Sequence, residues 1–256
     1  MSVRPAKALT SQTRPHKGWI EPLTCGFADG LVWDLELDPN FHDGDIGFWL
    51  YGKNRDGKVV FLRQEVLDYG LGSTLPGSFT VESELPGAVP GMGSRYVANL
   101  AQFLRDELNF SAMRMHAGDT VGGYFWARMM AALNPSAAFA NERSDLIQHL
   151  GQGLRLTRDQ LLVETHKKIT GCIEALKNPS APDAVNCLRV IAADRTPLQH
   201  SGELGTSERF LKAAQKYNPQ PVPLGAYLLL GSHWHGIIRL DDDIQMSHLQ
   251  TRAQRP

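Results

Sequence analysis

Few residues in this chain have both the type and the spacing for shared chemistry, and the clearest are His233 and His235, which flank Trp234 and precede Asp241, Asp242 and Asp243. On an extended strand residues two apart project from the same face, so both imidazoles can reach one metal ion. A third ligand would come from His116, an Asp or elsewhere, and the spacing selects none. Two hydrogen-bonded or solvated histidines at a sheet end satisfy the same pattern more economically. Asp241 to Asp243 by themselves read as a solvated strand end. Elsewhere, His116 stands near the end of the strand-like stretch Ser111 to Ala117, and a neutral imidazole can take up a proton because its ordinary pKa lies near operating pH. Glu82 and Glu84 are alternative bases, acting directly or through water. Tyr124 can give a proton back, although beside Phe125 and Trp126 it is equally suited to a core.

These side chains need elements to hold them, and the central ones run from Leu85 to Asn134. Leu-Pro-Gly-Ala-Val-Pro-Gly-Met-Gly-Ser (85–94) is a glycine-rich turn. It leads into a segment where Tyr96, Val97, Leu100, Phe103, Leu104 and Leu108 recur at three- and four-residue steps, the mark of a helix with one buried face. Ser94 is expected to cap it, and Gly91 and Gly93 allow close backbone approach. A helix start of this kind offers unpaired N–H groups and a positive partial charge to a phosphate or pyrophosphate. Residues 77–85 alternate as a strand with Phe79, Val81, Ser83 and Leu85 on one face. Residues 111–117 form a second strand, and Gly122-Gly123 opens a helix expected to run toward Asn134. Strand, turn, helix, strand, helix is a βαβα unit, whose strands are parallel if they share a sheet.

This arrangement resembles the acyl-CoA-binding half of the GCN5-related N-acetyltransferase superfamily over roughly residues 30–134. The family holds the CoA pyrophosphate by the backbone of a Gln/Arg-x-x-Gly-x-Gly/Ala turn, and a later helix carries a Tyr that protonates the leaving thiolate. The resemblance matches Gly91 and Gly93 to the two glycines. It assigns acetyl-CoA or another acyl-CoA to Val89, Gly91, Met92, Gly93, Ser94 and Arg95, the acid to Tyr124, and the base to His116, Glu82 or Glu84. Arg128 is a further candidate for the CoA phosphates. Ala88 stands where Gln or Arg is usual, Trp126 falls on the family's Tyr position, and Met130-Ala131 replaces the customary Gly-Phe. The implied fold class is α+β, a mixed and mostly antiparallel sheet of acetyltransferase type with an α-helical insertion. The implied acceptor is a small-molecule or protein amine.

The remainder of the chain is assigned around that core. Residues 1–24 read as a flexible basic arm and 25–134 as the acetyltransferase-like core. Strands are expected at 31–37, 46–51 and 59–67, the last two joined at an Asp56-Gly57 hairpin turn. Asp38, Asp43 and Asp45 lack the spacing of a calcium loop and read as turn chemistry. Residues 135–218 read as a helical insertion, a possible substrate cap or homodimer surface, with helices at 141–149, 157–178, 182–194 and 206–218. Thr157-x-x-Gln160 is a capping-box pattern for the second of them. Residues 219–245 are expected to return to the sheet, with a strand at 234–240 and an ambiguous 224–230. Residues 246–256 read as a tail.

Composition narrows the functional classes. With 256 residues, 42% hydrophobic and 21% charged, the chain can bury a sizeable core. A net charge of −1 supplies no global field for nucleic acid or anionic membrane, and the basic residues of 154–168 are interspersed with Asp159 and Glu164 as on a solvated helix face. Cys25, Cys172 and Cys187 are too dispersed for a disulfide framework or a zinc quartet. No run reaches spanning length and no signal peptide is apparent, so a cytoplasmic protein is expected. Two other classes stay open beside acyl transfer: an acyltransferase-like accessory protein without activity, and a metal-dependent enzyme using His233 and His235.

Overall fold

A computed structural model describes residues 15–27, 30–38, 45–75, 79–81, 86–89, 91–118, 122–198 and 221–254. The chain divides into two units, one made of residues 1–115 and 238–256, the other of residues 116–237. The class is mixed α and β with a mostly antiparallel sheet.

The first unit begins its sheet with an antiparallel meander of β1 (Val32–Asp38), β2 (Asp45–Lys53) and β3 (Val59–Asp68). Phe48 and Leu50, two apart on β2, share one buried face, while the adjacent Val60 and Phe61 show that β3 is enclosed on both faces there. The β2–β3 turn closes on Asn54, whose Oδ1 accepts the Asp56 and Lys58 N–H groups, while Gly57 takes a φ of 75°. Two short strands follow, β4 (Ser73–Leu75) and β5 (Phe79–Val81), both antiparallel to β3. Of the strand expected at 77–85, the described residues show β5 alone, and β4 is a further strand that precedes that range. Ser83 and Leu85 lie outside the described residues. Helix α2 (Met92–Asp106) then crosses to β6 (Ala112–Ala117), which pairs with β4 in parallel through Ser73 and Ala112. The strand order here is β1-β2-β3-β4-β6-β10, with β10 at Trp234–Arg239 and β5 also on β3.

Two departures in this unit come from helices at the chain's two ends. Residues assigned to the basic arm form a 3₁₀ turn (Lys17–Trp19) and α1 (Ile20–Thr24), which pack on α2 by burying Trp19 and Leu23. Trp19 meets Phe103 edge-on at 4.8 Å. Residues assigned to a tail form α8 (Asp243–Ala253), which also packs on α2 and buries Met246 and Leu249. Its N-cap is Asp242, whose Oδ1 accepts from Ile244 and Gln245. The acidic run is thus a helix start.

The second unit holds α3 (Gly122–Arg128), β7 (Ala132–Leu133), α4 (Ala140–Leu156), α5 (Val163–Ala175), α6 (Cys187–Ala192) and α7 (Leu224–Leu229). A two-stranded ladder, β8 (Pro197–Leu198) with β9 (Val222–Pro223), stands apart from strands β6, β10 and β7, which lie in that order. The helix expected to reach Asn134 stops at Arg128. Met130 turns to a φ of 68°, the Ala131 N–H bonds back to the Trp126 carbonyl, and Ala132 and Leu133 are released to pair with Ile237 and Gly236 of β10. Thr157 does not open the next helix either. Its Oγ1 donates to carbonyls of Gly153 and Leu154 at the end of α4, and α5 starts only at Val163. Leu162, inside the range expected to be helical, is 74% exposed, whereas Ile169, Ile173 and Leu176 are buried. The helix expected at 206–218 lies outside the described residues, and 224–230 resolves as α7.

Asp194 holds the link between α6 and β8. Its Oδ1 accepts the Thr196 N–H at 3.0 Å, its Oδ2 accepts from Lys168 at 3.1 Å, and its carbonyl accepts the Gly225 N–H. Burial alone raises the carboxyl pKa, but the Thr196 and Lys168 bonds outweigh it and leave Asp194 below the ordinary aspartate value. A group depressed on folding contributes stability above the unfolded value of about 3.9 and loses it as pH falls through the folded value. Asp194→Asn is expected to lower stability by about 1 kcal/mol at pH 7 and by less at pH 3. Urea titrations of both proteins at the two pH values check this.

Candidate functional site

Within the second unit, three side chains from distant sequence positions converge. Strand β10 alternates, with Trp234, Gly236 and Ile238 buried and His233, His235 and Ile237 half-buried, so the two histidines do share a face. At the exposed position of β6, the His116 ring stacks on His235 with centroids 4.6 Å apart and planes at 26°. The His233 ring lies 6.0 Å from that of His116. The third member is Glu142 in the first turn of α4, whose Oε2 is 2.5 Å from His235 Nδ1. One ligand atom from each of His116, Glu142 and His235 lies within 4.8 Å of the other two.

Local structure fixes this geometry. The Asn134 N–H donates to the His235 carbonyl, extending the β7–β10 pairing by one residue. Asn134 Oδ1 then accepts the Ser136 N–H, and Ser136 Oγ accepts from Ala138, so the chain turns tightly into α4. Arg143 donates to the Asn134 carbonyl and anchors the first turn of the helix. Phe139 consequently stacks on His235 at 4.0 Å and 14°, with Glu142 three residues further along. His235 is therefore held by a ring on its face and a carboxylate at Nδ1. Gly118 leaves room beside the rings, since a Cβ there would sit 3.1 Å from His116 and 3.7 Å from His233.

The residues assigned to acyl-CoA and its chemistry are placed as follows. In the first unit Gly91 is the N-cap of α2, with a φ of 82°, and its carbonyl accepts the first helical N–H, from Arg95. Ser94 lies inside the helix, because Gly91 can adopt the left-handed backbone that starts it three residues earlier. The Val89 N–H donates to Met92 Sδ, the Met92 N–H donates to the Val89 carbonyl, and helix geometry gives the N–H groups of Gly93 and Ser94 no partner within the helix. Met92 is buried, and the Arg95 guanidinium bonds to the Gly26 carbonyl. In the second unit Tyr124 is 2% exposed, with the Arg128 guanidinium over its ring at 5.5 Å. Glu82 and Glu84 lie outside the described residues.

Two features had no sequence signal. Glu142 stands 93 residues from His235, and nothing in a helix-forming stretch marks it as a partner. Cys172 on α5 and Cys187 on α6 are free thiols brought into contact, and the hydrogen bond from Cys187 draws the Cys172 pKa down to about 7. Comparison with protein-family models, with curated proteins and with solved structures returned no match. Among the described residues no helix is long and apolar enough to cross a membrane.

Proposed function

We propose that the chain is an acyl-CoA-dependent N-acyltransferase, moving an acetyl or related acyl group from CoA to an amine. The observation that carries this reading is the parallel pair β4 and β6, whose connection passes through β5 and then a helix that begins at a left-handed glycine, after an antiparallel meander. That combination suits a pyrophosphate at the start of α2, where the Gly93 and Ser94 N–H groups and the helix dipole favour negative charge. In the proposed reaction the amine attacks the thioester carbonyl, a C–N bond forms, the C–S bond breaks, and the amine proton passes to a base. His116, at the exposed position of β6, is carried as that base, with Glu82 and Glu84 the alternatives. Tyr124 is carried as the acid for the thiolate through the resemblance alone.

Calorimetry with acetyl-CoA tests the reading. Wild type is expected to bind, and a Gly91→Glu, Gly93→Glu double variant to lose about tenfold to a hundredfold in affinity, as expected on losing charge-assisted backbone bonds. Circular dichroism verifies that the variant is folded, because a non-glycine residue at Gly91 also strains the left-handed N-cap. No heat from folded wild type with acetyl-CoA or longer acyl-CoAs sinks the proposal.

A further inference from the structure

We infer that His116, His235 and Glu142 bind one divalent transition-metal ion of the zinc class. The donor set is two imidazoles and one carboxylate, the combination that zinc accepts with three protein ligands and one open position. The donors come from β6, β10 and α4, three elements of one unit, and their ligand atoms already lie within 4.8 Å of one another. In a tetrahedral zinc site with bonds of about 2.0–2.1 Å the donors are separated by about 3.3 Å. Closure thus needs no pair to approach by more than about 1.5 Å, and the His235 Nδ1–Glu142 Oε2 pair, at 2.5 Å, to open by about 0.8 Å, both within the reach of side-chain rotation.

The surroundings favour a ligand over a purely structural stack. An imidazole packed only for its ring needs neither a carboxylate at Nδ1 nor a second imidazole stacked on it; here His235 has both, and Phe139 also covers a face. The contact of Glu142 Oε2 with His235 Nδ1 already brings two of the three ligand atoms together, and a metal ion entering between them would replace the proton they share. His116 is exposed, so the fourth position faces water, and His233 on the same face of β10 is the nearest further imidazole, 6.0 Å from His116 between centroids. In metal-loaded protein His116 is a ligand and cannot also accept the amine proton. The inference shares His116 with the acyl-transfer reading but uses nothing of its turn, which lies in the other unit.

The test is a zinc titration of the full-length, chelator-treated protein by calorimetry, with bound metal counted after dialysis. One equivalent is expected in wild type. His235→Ala, Glu142→Ala and His116→Ala are each expected to weaken binding at least tenfold. Cobalt(II) in place of zinc is expected to show the intense visible absorption of a tetrahedral site, lost in His235→Ala. Glu142→Gln, which keeps the shape and removes the charge, guards against a folding defect, and its weakened binding with an unchanged dichroism spectrum supports the site. Absence of a stoichiometric site in wild type overturns the inference. So does affinity unchanged across the variants, which assigns the metal to other histidines. Acetyl-CoA binding is read separately, so either proposal can fail alone.

Discussion

Replacing Gly225 with alanine is expected to destabilise the second unit by about 3 kcal/mol or more, at the upper end for overpacking because the obstacle is main chain. Gly225 lies in the first turn of α7, and its N–H bonds to the Asp194 carbonyl just beyond α6. A Cβ at this position would stand 2.2 Å from the Ile191 carbonyl oxygen and 2.9 Å from the Ala192 carbonyl carbon. Backbone cannot rotate away as a side chain can, so either α6 and α7 separate or the Asp194–Gly225 bond breaks. Alanine gains about 1 kcal/mol over glycine in helix propensity, too little to offset that. For a chain of this size the loss corresponds to roughly 6–12 °C in Tm. The matched controls are Gly151→Ala in α4 and Gly171→Ala in α5, where the added Cβ meets nothing within 4 Å. Those two are expected to be neutral or to stabilise by up to about 1 kcal/mol. Thermal unfolding followed by circular dichroism checks all three, and equal effects across them would mean that α6 and α7 are not packed backbone to backbone.

The contrast among these glycines marks the limit of what the sequence revealed. The meander was legible because alternation is local: β1, β2, β3 and β6 fall within two residues of their expected bounds, and Asp56-Gly57 turns where it should. The apolar stripe of α2 was equally clear, but the parallel partner of β6 is β4, whereas β5, the strand within the expected 77–85, pairs with β3. What failed were decisions made by tertiary partners. Thr157 had a capping pattern but bonds backward, Ala132 and Leu133 left a helix because β10 offered them pairing, and the polar-looking end of the chain is helical because α2 offers it an apolar surface. The candidate metal site divides the same way. His233 and His235 were legible as one face of a strand, while His116 could be named only as one possible third ligand. Glu142 was not legible at all, since its place depends on the Asn134–Ser136 turn and on how α4 leaves β7.

Glu65→Ala is expected to cost about 3–5 kcal/mol, the range for breaking a buried ion pair on one side. Arg63 and Glu65 share a face of β3 and are 3% and 0% exposed, with the Arg63 Nε–H donating to Glu65 Oε1. The Tyr96 hydroxyl of α2 donates to the same oxygen at 3.3 Å. Burial first, and then the Glu65 carboxylate, push the Tyr96 phenol well above its ordinary pKa, so it remains a donor. Alanine at position 65 leaves a guanidinium charge and a phenol buried without this acceptor, and opens a cavity beneath α2. If the penalty is chiefly the stranded charge, removing it should recover most of the stability. Arg63→Met, Glu65→Leu with Tyr96→Phe is therefore expected to be at least as stable as Arg63→Met or Glu65→Ala alone, and within about 2 kcal/mol of wild type. Urea unfolding of the single variants and the triple variant decides between charge and packing. A triple variant no better than Glu65→Ala would make the pair's contribution one of shape. Because Tyr96 sits one turn into α2, the same network also fixes the helix start that presents Gly91. The Glu65→Ala protein, studied where it is still folded, is accordingly expected to bind acetyl-CoA more weakly even though neither residue of the pair belongs to the turn.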